Sequence, residues 1–205
     1  MELQILTSSR TGHNFVRANV ESWFGDKITS YRNFENSPPK ELPDLPGLKI
    51  VVVRHYLNWV ASLIKSAENR PTYDWASVMR LYIPIGEEYF HPKYFKAHGR
   101  IYYDDFIKSK DYRECICNLI GGKFNDDMID YVPANGGASS FDGHSLDGNG
   151  TLLPTDQRWR QILWSGLRGD YISALRSFKH NAKYFMNNFE TTKEEDKFII
   201  NNVLS

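Results

Sequence analysis

"LKIVVVRHYLNWVAS", residues 48 to 62, holds four consecutive β-branched residues, Ile50 to Val53, that stop at Arg54 and give way to a pattern of helical period. A strand with so little polar alternation fits a parallel sheet covered on both faces. Tyr56 to Ser66 reads as the helix that follows it. The same order opens the chain. Leu3 to Ser8 reads as a short buried strand, and His13 to Phe24 as a helix with Phe15, Val16, Val20, Trp23 and Phe24 near helical spacing, ended by Gly25. Ile28 to Phe34 reads as a second, more exposed strand, and the prolines of "ENSPPKELPDLPG", residues 35 to 47, exclude regular structure.

Farther along, Asp74 to Phe90 reads as helix interrupted at Pro84, "RIYYDDF" from Arg100 to Phe106 as a strand, and Tyr112 to Ile120 as a helix closed by Gly121 and Gly122. Residues 133 to 150, rich in Gly, Ser, Asn and Asp, read as an irregular loop long enough to suggest function. Helices are expected at Thr155 to Trp164 and Asp170 to Phe185, and "TTKEEDKF" near the end reads as a solvated helical face or a loose tail. Strands that alternate with helices predict an α/β fold of three layers, a parallel sheet flanked by helices, with ligands at the carboxyl ends of the strands.

A chain of 205 residues fits one domain, spanning 1–205. Lys plus Arg equals Asp plus Glu at 25, so no overall field favours nucleic acid or an anionic membrane, and any anion site must be local. Met1 to Ser8 is too short for a signal peptide and no apolar stretch reaches the roughly 18 residues of a spanning helix, which predicts a cytoplasmic protein without a membrane span. Cys115 and Cys117, the only cysteines, are expected to be buried thiols, with no disulfide framework and no metal site. The aromatic residues are read first as core.

The segment Ser9 to Asn14 joins the first strand to the first helix. Several of its N–H groups lack intrahelical partners and, with the helix dipole, favour a phosphate or sulfate. Arg10 adds a forked positive charge, Gly12 lets the backbone approach an anion, and Thr11, His13 and Asn14 add donors. The nucleoside triphosphate pattern G-x-x-x-x-G-K-[ST] is absent.

"TSSRTGHNF" resembles the phosphosulfate loop of the sulfotransferases, with Arg10 on the family's basic residue and Thr11 and Gly12 matching. Ser9 stands where proline is usual, and His13 and Asn14 replace a hydroxyl pair. Arg54 at a strand end with Ser62 eight residues on is similar to the family's 3′-phosphate motif. "IYYDDF" followed by "LIGG" resembles a later family strand and helix, and there Asp104 and Asp105 take a bracing role. "GGASSFDG" followed by Arg158 and Trp159 looks like a region that closes over the nucleotide, which would bring Ser139, Ser140, Phe141 and Arg158 to the cofactor.

The resemblance implies a P-loop NTPase-like topology and in-line transfer of a sulfuryl group from 3′-phosphoadenosine 5′-phosphosulfate (PAPS) to a hydroxyl or amine acceptor, with no metal required. It implies Arg10 at the bridging oxygen and Arg54 with Ser62 on the 3′-phosphate. Glu35, placed near the end of the second strand, is the expected general base. His13 and His55 are weaker alternatives, and His91 and His98 stay open. A non-catalytic nucleotide-binding module and a kinase-like phosphotransferase are the rival readings. Small-molecule, carbohydrate and peptide acceptors, and the oligomeric state, stay open.

Overall fold

Buried β-branched runs pair with one another at the centre of the sheet. The computed structural model describes residues 1–68, 70, 72–129 and 158–205. Its strands are β1 (Glu2–Thr7), β2 (Ser30–Glu35), β3 (Leu48–Val53) and β4 (Gly99–Tyr102), all parallel, in the order β2-β1-β3-β4. Thr7 lies opposite Glu35 on one side and Val52 on the other, so the carboxyl tips of the first three strands stand level.

Side chains alternate across the sheet, and both faces are covered. Leu3, Ile5, Ile50 and Val52 pack with α1 (His13–Phe24), α5 (Tyr103–Lys108) and α6 (Lys110–Leu119), where Phe15, Trp23, Phe106 and Ile116 close the layer. Leu6, Val51 and Val53 face the other way, toward Phe34, Phe95 and Ile85 of α4 (Tyr82–Phe90). The structure is therefore α/β, with a four-stranded parallel sheet between helical layers. Helix α2 (Tyr56–Glu68) is covered all round by α3 (Trp75–Met79), α7 (Arg158–Leu163), α8 (Arg168–Ser177), α9 (Lys179–Asn188) and α10 (Lys193–Ile199). Its Leu57, Trp59, Val60 and Leu63 are fully buried, each contributing about 1.5–3 kcal/mol on removal from water.

The chain runs from β1 to β2 on one side and then crosses to β3 on the other. The order thus reverses between β1 and β3. At such a switch point two adjacent strand-to-helix loops diverge, which leaves a crevice outside the carboxyl ends.

Several expectations need correction. The helical interruption falls at Arg80–Leu81, ahead of Pro84, which sits in the first turn of α4 where its missing N–H costs nothing. "RIYYDDF" is strand only to Tyr102; Asp104 and Asp105 then lie in the first turn of α5, where carboxylates suit the helix dipole. The expected helix Asp170 to Phe185 is two helices, broken at Phe178. The proline-rich segment contains one 3₁₀ turn, Pro39–Glu41. Cys117 is buried but Cys115 is exposed. The charged C-terminal segment is neither a tail nor wholly solvated, because Ile199 and Val203 are buried. Among the described residues no helix is long and apolar enough to cross a membrane.

Candidate functional site

The segment after β1 is shaped by two left-handed residues, Arg10 at φ 67° and Gly12 at φ 86°. Three neighbouring elements hold it. From the end of β2, Asn36 accepts from the Ser9 N–H at 2.8 Å and donates to Ser9 Oγ at 2.7 Å. From α2, the buried Trp59 indole donates to the Ser9 carbonyl at 2.7 Å. From the end of β3, Arg54 Nη1 donates to the Arg10 carbonyl at 2.9 Å. Thr11 turns inward, donating to the Ser8 carbonyl at 2.9 Å and touching the Thr7 hydroxyl. The Thr11 hydroxyl therefore fixes the loop, a role different from the ligand donor the sequence suggests, while Ser9 Oγ accepts from Asn36. The Thr11 and Gly12 N–H groups have no acceptor among the described residues, and those of His13 and Asn14 open α1, whose first turn carries no acidic side chain. The loop thus ends in a cluster of N–H groups at a positive helix terminus.

Gly12 is needed here for another reason. A Cβ at this position would come within 2.2 Å of the Tyr103 ring, so the loop rests directly on α5. The Arg54 guanidinium lies 5.3 Å from the same ring's centroid, a cation–π contact that orients it.

Arg54 and Arg158 are 2% and 5% exposed, and both direct Nη1 to Ser62 Oγ, at 3.2 and 3.0 Å. Ser62 in turn donates to the Asn58 carbonyl at 3.0 Å. Its one proton is thereby used, so it positions two arginines instead of offering a donor outward. Two guanidinium groups on one hydroxyl, deep in the protein, concentrate positive potential at the β3 tip. Arg10 is in electrostatic reach of Arg54, Arg70, Tyr73 and Glu35. Burial lowers the Arg10 pKa; Tyr73 and Glu35 raise it, while Arg54 and Arg70 lower it further. Arg10 nevertheless remains a cation at any working pH.

Glu35 ends β2 half-buried, level with Thr7. Asn33 Nδ2 lies 3.4 Å from its Oε2 and 3.3 Å from His13 Nε2, linking the two. Burial lowers the His13 pKa, with Glu35 opposing and Arg10 and Arg17 adding to the effect. His13 is thus neutral near pH 7. Ser9, Arg10, Thr11, Gly12, His13, Asn14, Glu35, Arg54, Ser62 and Arg158 all gather around the β2, β1 and β3 tips and the helices that follow them. Ser139, Ser140 and Phe141 lie outside the described residues. His55 faces away from the loop, 3.1 Å from Glu195, while His91 and His98 follow α4 and precede β4.

Sequence reasoning gave no site role to Asn36, Trp59, Arg70 and Tyr103, and read Tyr73 first as helical core, with an acceptor cleft as the lesser use. Asn36, Trp59 and Tyr103 reach the loop through contacts between residues far apart in the chain, and Tyr73 and Arg70 act on Arg10 electrostatically; no short motif encodes either. Asp104 has the bracing role assigned to it: its carboxylate accepts from the His55 N–H at 2.8 Å and from Asn58 Nδ2 at 3.4 Å, fixing the start of α2. Among the described residues no three His, Cys, Asp or Glu side chains converge as a metal-binding set. Comparison with protein-family models, curated proteins and solved structures gave no match, so the functional reading rests on the chemistry of this site.

Proposed function

We propose that this protein is a sulfotransferase of P-loop NTPase-like topology, moving a sulfuryl group from PAPS to a hydroxyl or amine acceptor. The observation that carries the reading is the meeting of Arg10 and Arg54 at the switch point, joined by the Arg54–Arg10 carbonyl hydrogen bond of 2.9 Å, with Arg158 on the same serine as Arg54. An adenosine carrying phosphates at both ends of its ribose needs two anion sites a sugar's length apart. The loop N–H groups with Arg10 suit the 5′ side, and Arg54 with Arg158 the 3′ side.

In the step itself, the acceptor oxygen attacks sulfur as the bond from sulfur to the 5′-phosphate oxygen breaks, and Glu35 takes the acceptor proton. Adenosine 3′,5′-bisphosphate leaves with the added charge on its 5′-phosphate, where Arg10 and the loop N–H groups stabilise it. Neutral His13, linked to Glu35 through Asn33, helps orient the carboxylate. PAPS here is a co-substrate, and nothing in the step draws on a metal.

The test is ligand-dependent unfolding. Adenosine 3′,5′-bisphosphate at ~100 times its dissociation constant should add about 2.7 kcal/mol of stability. Stabilisation by ATP with magnesium and none by the bisphosphate would favour a phosphotransferase instead. Glu35→Gln should keep bisphosphate binding and lose transfer by roughly 10²- to 10⁴-fold. Transfer unchanged in that variant removes Glu35 from the step. Bisphosphate binding with no transfer from PAPS to sugar, phenol, lipid, peptide or amine acceptors would favour a binding module.

A further inference from the structure

A cavity opens at the carboxyl ends of β3 and β4, on the side of Arg54 away from β1 and β2. Its volume is about 440 Å³, within the range of small-ligand sites, roughly 300–1,000 Å³. Glu35 stands at the opposite edge of the sheet, beyond β1 and β3, so this cavity lies outside the path of the transfer step proposed above.

Its charge is one-sided. Asp104 and Asp105 enter from the start of α5, Glu190 from the segment that joins α9 to α10, and Glu195 from the first turn of α10; Lys108 and His55 are the basic side chains in the lining. Burial raises the Asp105 carboxyl pKa, and neighbouring Asp104 and Glu190 raise it further against Lys108. One wall is aromatic and centred on Phe189, which stacks on Tyr102 at 5.4 Å and 27° and meets Phe90 at 4.9 Å.

Polar groups in the lining are also left without partners. His55 is 8% exposed, and its Nε2 lies 3.1 Å from Glu195 Oε1. Among the described residues neither of its ring nitrogens has a hydrogen-bond partner. The Tyr102 hydroxyl is also without one. Carboxylates, unpartnered polar groups and aromatic faces together call for one complement: a cation rich in N–H donors on an apolar stem.

We propose that this cavity binds a small primary amine, its ammonium group among the carboxylates of Asp105, Glu190 and Glu195 and its stem against Phe189. This site is independent of the sulfuryl-transfer reading and stands if that reading fails. Titration calorimetry at low ionic strength with phenethylamine, tyramine and hexylamine, and with 2-phenylethanol as the neutral counterpart, tests it. At least one amine should bind saturably and one to one, and the alcohol should not. Asp105 and Glu190 are exposed, so Asp105→Asn with Glu190→Gln leaves the fold intact and should weaken the amine ~10-fold. Each single variant should weaken it less. Failure of all three amines to bind, equal binding of amine and alcohol, or unchanged affinity in the double variant would each overturn the assignment.

Discussion

Gly12 sets the distance between the phosphate loop and everything beneath it. Its φ of 86° is left-handed, and the atom any other residue would add meets the Tyr103 ring at 2.2 Å. That ring also carries the Arg54 guanidinium, so displacing it moves the loop and an anion ligand together. Gly12→Ala should therefore cost about 1 kcal/mol for the backbone conformation and about 1–3 kcal/mol for overpacking, read by chemical denaturation. Its affinity for adenosine 3′,5′-bisphosphate should fall as well. Adding Tyr103→Leu should restore part of the packing loss and none of the backbone cost; full recovery would refute the conformational argument. At this scale the basic residues were legible, because Arg54 and Ser62 stand eight apart across a strand end and Arg10 sits in a turn between strand and helix. Gly12 was legible as a needed glycine, but only one of its reasons was: the sequence suggests close approach of an anion, and the structure adds an aromatic ring from α5 where a Cβ would stand.

Helix α10 gives the clearest divergence at the scale of elements, and its reason is physical. A run of Lys, Glu and Asp looks solvated, yet Thr192 and Glu195 form a reciprocal capping box that starts a helix, and the apolar residues that dock it come just afterward, at Ile199 and Val203. The T-x-x-E spacing carries a capping signature that the reading of a solvated face or tail passed over; the docking was not legible at all, because its partners lie on α2, α8 and α9. Strands β1 and β3 and helix α1 were readable almost to the residue, since buried β-branched runs and a single apolar stripe each admit one local answer. Docking of α10 also depends on pH. Burial alone would raise the Glu195 pKa, but His55 and the Thr192 N–H and hydroxyl outweigh it and hold the carboxyl down at about 2, from 4.5. A folded value below the unfolded one gives stability that is complete above about pH 4.5 and is lost as pH falls toward about 2, up to about 3 kcal/mol for a shift of that size. Other depressed carboxylates, Asp44 and Asp126 among them, titrate in the same window. The useful measure is the difference in unfolding free energy between the wild-type protein and Glu195→Gln. It should be largest near neutral pH and shrink between about pH 4.5 and 2; a difference constant with pH would mean that the Glu195 charge contributes nothing.

Across the whole molecule the decisive feature is the reversal of strand order. Parallel pairing of β1 with β3 brings Thr7 opposite Val52, and the loops that continue from those tips diverge to α1 and α2 on opposite layers of the sheet. Arg10 and Arg54 are 44 residues apart in sequence but share a hydrogen bond, and that follows from the order β2-β1-β3-β4 and not from either motif alone. A ligand gripped by both arginines must tie the two loops together. Hydrogen exchange on adding adenosine 3′,5′-bisphosphate should then slow at the amides of residues 10–14 and of residues 54–62 at the same ligand concentration. The amino ends of the strands, around Glu2, Pro46 and Gly47, lie at the far edge of the sheet and should not change. Arg54→Ala should abolish the slowing in both segments, because it removes one anion contact and the brace on the Arg10 carbonyl together. Arg10→Ala should weaken binding by roughly 10- to 100-fold, the loss of one or two charge-assisted hydrogen bonds, yet leave slowing in both segments once the ligand is raised to saturation. Slowing confined to one segment in the wild-type protein would mean that the two arginines serve different ligands, and the single-nucleotide reading of the switch point would fall with it.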